Sequence, residues 1–177
     1  MNRLLILAFL AVSAAALQAG ESAFQASLTP DIAVQSKTNE IHGVSLNVWG
    51  ENPQHGFALG FVNGSTGQSS GFSLAFFGNY SDSYTGVQWA LINYTKQSFT
   101  GWQAGWINYD EGAFKGLQSG LVNVAQDTRG LQLGVFNYTE KLHGVQIGFA
   151  NIVDGNPWFK EFPDKLARGF PIVNWSF

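Results

Sequence analysis

The sequence predicts an all-β protein, an up-and-down antiparallel β-barrel of about ten short strands, and three observations lead there. The first is an internal repeat. A unit of Gly, bulky apolar residue, Gln or small polar residue, variable residue, Gly or Ala, two apolar residues and Asn begins at Gly43, Gly56, Gly71, Gly86, Gly101, Gly116, Gly130 and Gly144. Self-similarity at a near-constant period governs architecture before any local propensity does. The second is alternation in size. One parity carries Val87, Trp89 and Leu91, then Leu131, Leu133 and Val135; the other carries Gly86, Gln88 and Ala90, then Gly130, Gln132 and Gly134. A period of two sends successive side chains to opposite faces, which is the strand signature. The third is spacing: each unit offers about nine residues of alternation and then a short polar stretch, which suits one strand and one turn.

Taken in order, the chain opens on Asn2-Arg3 and an apolar run over residues 4–17, interrupted only by Ser13, with Leu17-Gln18-Ala19 as a cleavage site. Residues 1–19 read as a secretory signal peptide, too short for the roughly 20 residues of a membrane-spanning helix. Residues 20–177 then form a single β-repeat barrel domain. Alternation over residues 24–28 gives a first strand, and residues 44–49 a second. The repeats from Gly56 to Gly144 supply the next seven. Residues 64–70, 80–85, 95–100, 110–115, 125–129 and 139–143 have turn composition. Residues 153–168, with Pro157 and Pro163, form a longer link, and residues 172–177 a last strand.

Connections of about five residues favour antiparallel neighbours. Strands of about nine residues also match a tilted crossing of a bilayer, so the expected barrel is of outer-membrane type. The bulky parity would face lipid and the Gln/Gly/Ala/Ser parity a narrow lumen. Val173, Trp175 and Phe177 alternate toward an aromatic end, as in the assembly signal of such barrels. One fact favours an alternative, a parallel β-solenoid of 14–15-residue coils: all units are alike, whereas barrel strands alternate in direction. Against that alternative, the return half of each coil, such as Tyr138-Thr139-Glu140-Lys141, offers few apolar residues to bury.

Composition narrows function. Net charge is −3, charged residues make up 12% and no basic block exists, so nucleic acid is not an expected partner. Cysteine is absent, which excludes disulfides and a lipid-modified cysteine. His42, His55 and His143 each precede a repeat glycine without the close ligand spacing of a zinc site, and read as turn residues. Gln88, Gln103, Gln118, Gln132 and Gln146 form a row expected to satisfy itself inside the lumen, with a sugar site as the alternative. The Asn row is expected at strand ends, bonding its own backbone. Trp102 and Trp106 suit a membrane interface, Trp89 less so, with a carbohydrate platform as the alternative. Asn63, Asn79, Asn93, Asn137 and Asn174 begin Asn-x-Ser/Thr triplets that arise from the repeat. Gly67-Gln68-Ser69-Ser70-Gly71 matches a hydrolase nucleophile pattern but lacks the strand-to-helix turn that pattern needs. A Ser–His enzyme would be sought at His42 or His55. No catalytic, cofactor-binding or metal residue and no cofactor is assigned.

The Gly-x-Gln-x-Gly-x-x-Asn units, with residues 43–50 before them and 170–177 after them, resemble a family of bacterial surface-repeat-containing proteins. The resemblance implies an envelope or cell-surface location and carries no catalytic residues. The expected function is a non-enzymatic outer-membrane or cell-surface protein of a Gram-negative bacterium, with a structural, surface or minor transport role and the lipid bilayer as partner. The alternative is a secreted or surface-attached β-repeat binding protein, adhesin-like, whose protein or glycan partner the sequence does not name.

Overall fold

A computed structural model describes residues 20–177, so the expected signal peptide lies outside the described residues. The strands are β1 (Glu21–Thr29), β2 (Ile32–Ala33), β3 (Glu40–Asn52), β4 (His55–Trp89), β5 (Ile92–Ala104), β6 (Ile107–Ser119), β7 (Val122–Leu133), β8 (Phe136–Val153) and β9 (Gly169–Ser176). They form one sheet in the order β2-β1-β3-β4-β5-β6-β7-β8-β9. Every pairing from β1–β3 through β7–β8 is parallel. The antiparallel barrel is therefore overturned: the chain is a parallel β-solenoid of about seven turns, the architecture weighed as the alternative.

The register shows how the repeat builds it. Gly101 pairs with Gly116, Gly116 with Gly130 and Gly130 with Gly144, while Asn93, Asn108, Asn123 and Asn137 stack in the same way. One repeat is thus one complete coil, and like residues lie one above another. Segments expected to be hairpin turns, residues 95–100 and 110–115, are extended parts of β5 and β6. The chain bends at other places. One corner is the repeat glycine, with φ of 134° at Gly101 and 130° at Gly116. A second is the break between strands at Gly105-Trp106 and Gly120-Leu121. At Gly116 a Cβ would stand 2.0 Å from the Gly101 carbonyl oxygen, so only glycine lets successive coils approach.

The objection to a solenoid fails because the interior is largely polar. The return half of each coil need not bury apolar groups when Asn, Gln, Ser and Thr side chains satisfy one another inside. Within the interior, Tyr84, Phe99 and Phe114 with Ala125 form a short apolar stack. Its rings lie nearly parallel, with centroids 6.0 and 5.6 Å apart.

Both ends are capped by a change of direction. At one end β2 pairs antiparallel with β1; at the other β9 runs antiparallel to β8, placing Trp175 opposite Val145 and Val173 opposite Ile147. The alternating C-terminal residues thus cover the last coil and do not close a barrel. Pro171 lies in β9 at the edge of the sheet, where a missing N–H costs no ladder bond.

Candidate functional site

The most distinctive surface follows from the repeat position by position. Counting the glycine as the first residue of a unit, the second, fourth, sixth and seventh side chains point outward. The third and eighth point in. Outward side chains include Phe57, Phe61, Phe76, Trp89, Trp106, Leu121, Val135 and Phe149, all exposed. Phe76 is 63% exposed, Trp106 64% and Phe149 81%, values at which apolar side chains contribute little to a core. Because like positions stack, they form columns along the solenoid axis. Between residues 43 and 153 the charged side chains are Glu51, Asp82, Lys96, Asp110, Glu111, Lys115, Asp127, Arg129, Glu140 and Lys141. None occupies the first eight positions of a unit, so this face carries no charge; the charges lie elsewhere around the coil, with Asp110 buried inside it.

Two grooves run in this face. One, of about 570 Å³, is lined from Ala26 and Leu28 through Leu46 and Val48 to Leu59, Phe61 and Phe76. The other, of about 510 Å³, is lined by Leu59, Leu74, Phe76, Trp89, Leu91 and Trp106 over Gly60, Ala75, Ala90 and Gly105.

Beneath the face lie two amide ladders. Asn47 donates to Asn63 at 2.9 Å, and the chain of Asn–Asn bonds continues through Asn79, Asn93, Asn108, Asn123 and Asn137 to Asn151, with 2.8 Å for each of the last four bonds. From Asn93 to Asn137 each amide also donates to the backbone carbonyl at the fourth position of the next unit, locking the corner. The Gln ladder points the other way: Gln146 donates to Gln132, Gln132 to Gln118, Gln118 to Gln103 and Gln103 to Gln88. The Gln side chains thus satisfy one another inside, as expected. The Asn side chains do not serve as turn residues; they are the second ladder. Asn47 Oδ1 and Gln146 Oε1, at ladder ends, are buried without a partner.

Asp110 interrupts this neutral interior. Its carboxylate accepts from Gln103 Nε2 at 3.0 Å and Gln118 Nε2 at 2.6 Å. Burial pushes its pKa up to about 7, against the opposing effect of bonds to Thr95, Gln103 and Gln118. On the charged side, Tyr80 donates to Glu51 at 2.7 Å, and burial followed by that bond raises its pKa to about 12.

The histidines fall differently from the turn arrangement expected. His42 stacks on His55 with centroids 4.9 Å apart, while His143 lies toward the other end of the stack. His42 Nε2 is 3.2 Å from Glu40 and 4.0 Å from Glu21, a grouping of potential metal ligands that the sequence hid because Glu21 lies on the neighbouring parallel strand. All three side chains are exposed, and a surface contact of this kind contributes little on its own. His55 Nδ1 lies 3.0 Å from Ser70 Oγ. Among the described residues no carboxylate is bonded to the His55 ring, so the orienting third group of a nucleophile–base pair is missing. Ser69, the central serine of the hydrolase-like pattern, is buried, with its hydroxyl donating to the Thr66 carbonyl at 2.8 Å.

The geometry therefore offers a broad uncharged apolar surface on a polar-cored scaffold. Comparison with protein families, with curated proteins and with solved structures finds no match to this chain.

Proposed function

We propose that the protein is a non-enzymatic, surface-attached β-solenoid that binds by laying its charge-free apolar face on a lipid bilayer. One observation carries the reading: eight stacked units expose bulky apolar side chains on one side, and every charged side chain between residues 43 and 153 lies off that side. Eight levels about 4.8 Å apart, and six residues of about 3.3 Å followed along the chain around the corner at the fifth and sixth positions, give an apolar strip of roughly 700 Å². The largest apolar patch on a typical soluble monomer is about 300–600 Å², so a face of this size marks an interaction surface. At about 25 cal/mol per Å², covering it contributes roughly 17 kcal/mol, above most estimates of about 4–15 kcal/mol for lost freedom on association. Exposed Trp49, Trp89, Trp102 and Trp106 on this face suit the boundary between headgroups and hydrocarbon. The secretory signal peptide read in the sequence and the resemblance to surface-repeat proteins support an exported protein at the cell envelope.

The experiment is co-sedimentation of the purified protein with phospholipid vesicles, read together with tryptophan emission. Binding with a blue shift, weakened by Trp106→Glu, is the expected result. A protein that stays in the supernatant with unshifted emission, or that buries the face in a stable dimer indifferent to vesicles, refutes the reading.

A further inference from the structure

We propose that the trough between the fourth- and sixth-position columns of this face holds one acyl chain of a membrane phospholipid; the proposal rests on the bilayer reading and specifies its ligand. The two grooves share Leu59, Gly60 and Phe76, so they are segments of one channel running from β1 to Gly105-Trp106. That distance covers six strand levels, five steps of about 4.8 Å, or about 24 Å. One leaflet of a bilayer contributes about half of a hydrocarbon core of about 30 Å, so a lipid tail fits along the trough in full.

The trough is built by the fold. Its floor is the fifth position, where a Cβ on Gly60 would stand 2.4 Å from the Asn47 carbonyl oxygen and one on Gly105 2.3 Å from that of Ala90. Its floor residues are small, Gly60, Ala75, Ala90 and Gly105, while the fourth and sixth positions rise as walls. It ends where the fourth position shrinks to Ala104 and Ser119 and the Trp102 indole donates to Ser119 Oγ at 2.9 Å.

Chemistry selects the occupant. The trough carries no charge, which matches an uncharged chain. Its floor amides are already used, with Ala90 N donating to Ala104 O at 3.1 Å and Gly105 N to Ser119 O at 3.0 Å. A peptide strand entering here would lose its hydrogen bonds to water and find none in return, because this is the face of a sheet and not its edge. A second copy of the chain would present rows of Phe and Trp rings, too wide for wall rows whose Cα atoms are at most about 6.6 Å apart. A methylene chain fits that width and has no polar group to strand.

The test uses monomeric lysophosphatidylcholine with a saturated chain, below its micelle concentration, by titration calorimetry and native mass spectrometry. Saturable one-to-one binding is expected. It should weaken at least tenfold in Leu59→Glu, and in Phe76→Glu as a second variant with a more exposed side chain, while Phe149→Glu, on the same face beyond the trough, leaves it unchanged. Absence of saturable uptake, equal loss in all three variants, or a dimer that excludes the lysolipid overturns the proposal. Vesicle sedimentation of the same proteins separates the two readings: vesicle binding without uptake sinks the trough and leaves the face, and uptake without vesicle binding does the reverse.

Discussion

Replacing Asn108 with alanine removes the centre of the Asn ladder. Asn108 is fully buried, accepts from Asn93 Nδ2 at 2.8 Å and donates to Asn123 Oδ1 at 2.8 Å and to the Ser119 carbonyl at 3.1 Å. Three bonds at about 1 kcal/mol net each give about 3 kcal/mol. The Ser119 carbonyl keeps the Gly105 amide and Asn93 keeps its bond to Ala104, so the clear orphan is Asn123 Oδ1. A buried orphan adds about 1–3 kcal/mol, which brings the expected loss to about 4–6 kcal/mol. Set against a total stability of about 5–15 kcal/mol, that is enough to unfold the middle of the stack or the whole of it. Urea denaturation followed by tryptophan emission measures it. Gln68→Ala, at an exposed amide, is the control and should stay within about 0.5 kcal/mol of the parent. An Asn108→Ala protein that unfolds within about 1 kcal/mol of the parent would mean that the ladder is incidental to stability.

Other positions give sharper signs. Asp110 has a folded-state pKa of about 7 against 3.8 for the free group. Its protonated form is favoured by folding, so stability is fully present below pH 3.8 and is lost as pH rises to about 7, by at most about 4 kcal/mol. Denaturation midpoints should fall between pH 5 and pH 8, and Asp110→Asn should flatten that slope; an unchanged slope refutes the assignment. The Tyr84 hydroxyl is buried without a partner, so Tyr84→Phe should raise stability by about 1 kcal/mol in the same assay, and a loss of that size would show that the hydroxyl is satisfied. Gly116→Ala, whose Cβ would meet the Gly101 carbonyl oxygen at 2.0 Å, should cost at least ~3 kcal/mol, whereas Gly67→Ala, at φ 60° with open space around it, should cost about 1–2 kcal/mol. Equal costs at the two sites would remove close coil stacking as the reason for the repeat glycine.

Parity was legible in the sequence; direction was not. The alternation of Val87, Trp89 and Leu91 with Gln88 and Ala90 told which side chains leave the strand on the same side, and Gln88, Gln103 and Gln118 are indeed inside with the bulky residues outside. A period of two says nothing about whether the next strand runs the same way. That depended on the repeat glycine, which serves equally in a hairpin turn and in a coil corner, and on residues such as Ser98, Phe99 and Thr100, whose loop composition hid a strand. The likeness of all units pointed to the solenoid. It was outweighed by the expectation that a coil must bury apolar residues all round. Asn137 was misread for a related reason: Asn preferences describe bonds to neighbouring backbone, while its decisive partners are Asn123 and Asn151 on adjacent coils. Trp89, awkward in mid-strand for a barrel, is explained by its place in the wall of a trough.

The distribution of polarity separates what folds this chain from what it can bind. In most domains the same apolar side chains do both, because the core is the reason for the fold. Here the stack is held by rung-to-rung backbone bonds and by amides whose partners lie one coil away, and the terminal strands β1, β2 and β9 stand where further coils would add. Outward residues such as Phe76, Trp106 and Phe149 remain largely in water in the isolated chain, so they add little to its stability. Polar substitutions at these positions should relieve solvent exposure and leave folding intact. Only contact with an apolar partner gives that row of large side chains a favourable free energy, and the absence of charge along it removes the usual barrier to such contact. Stability and exposed apolar surface are therefore written at different positions of the same repeat, the third and eighth residues for one, the fourth and sixth for the other.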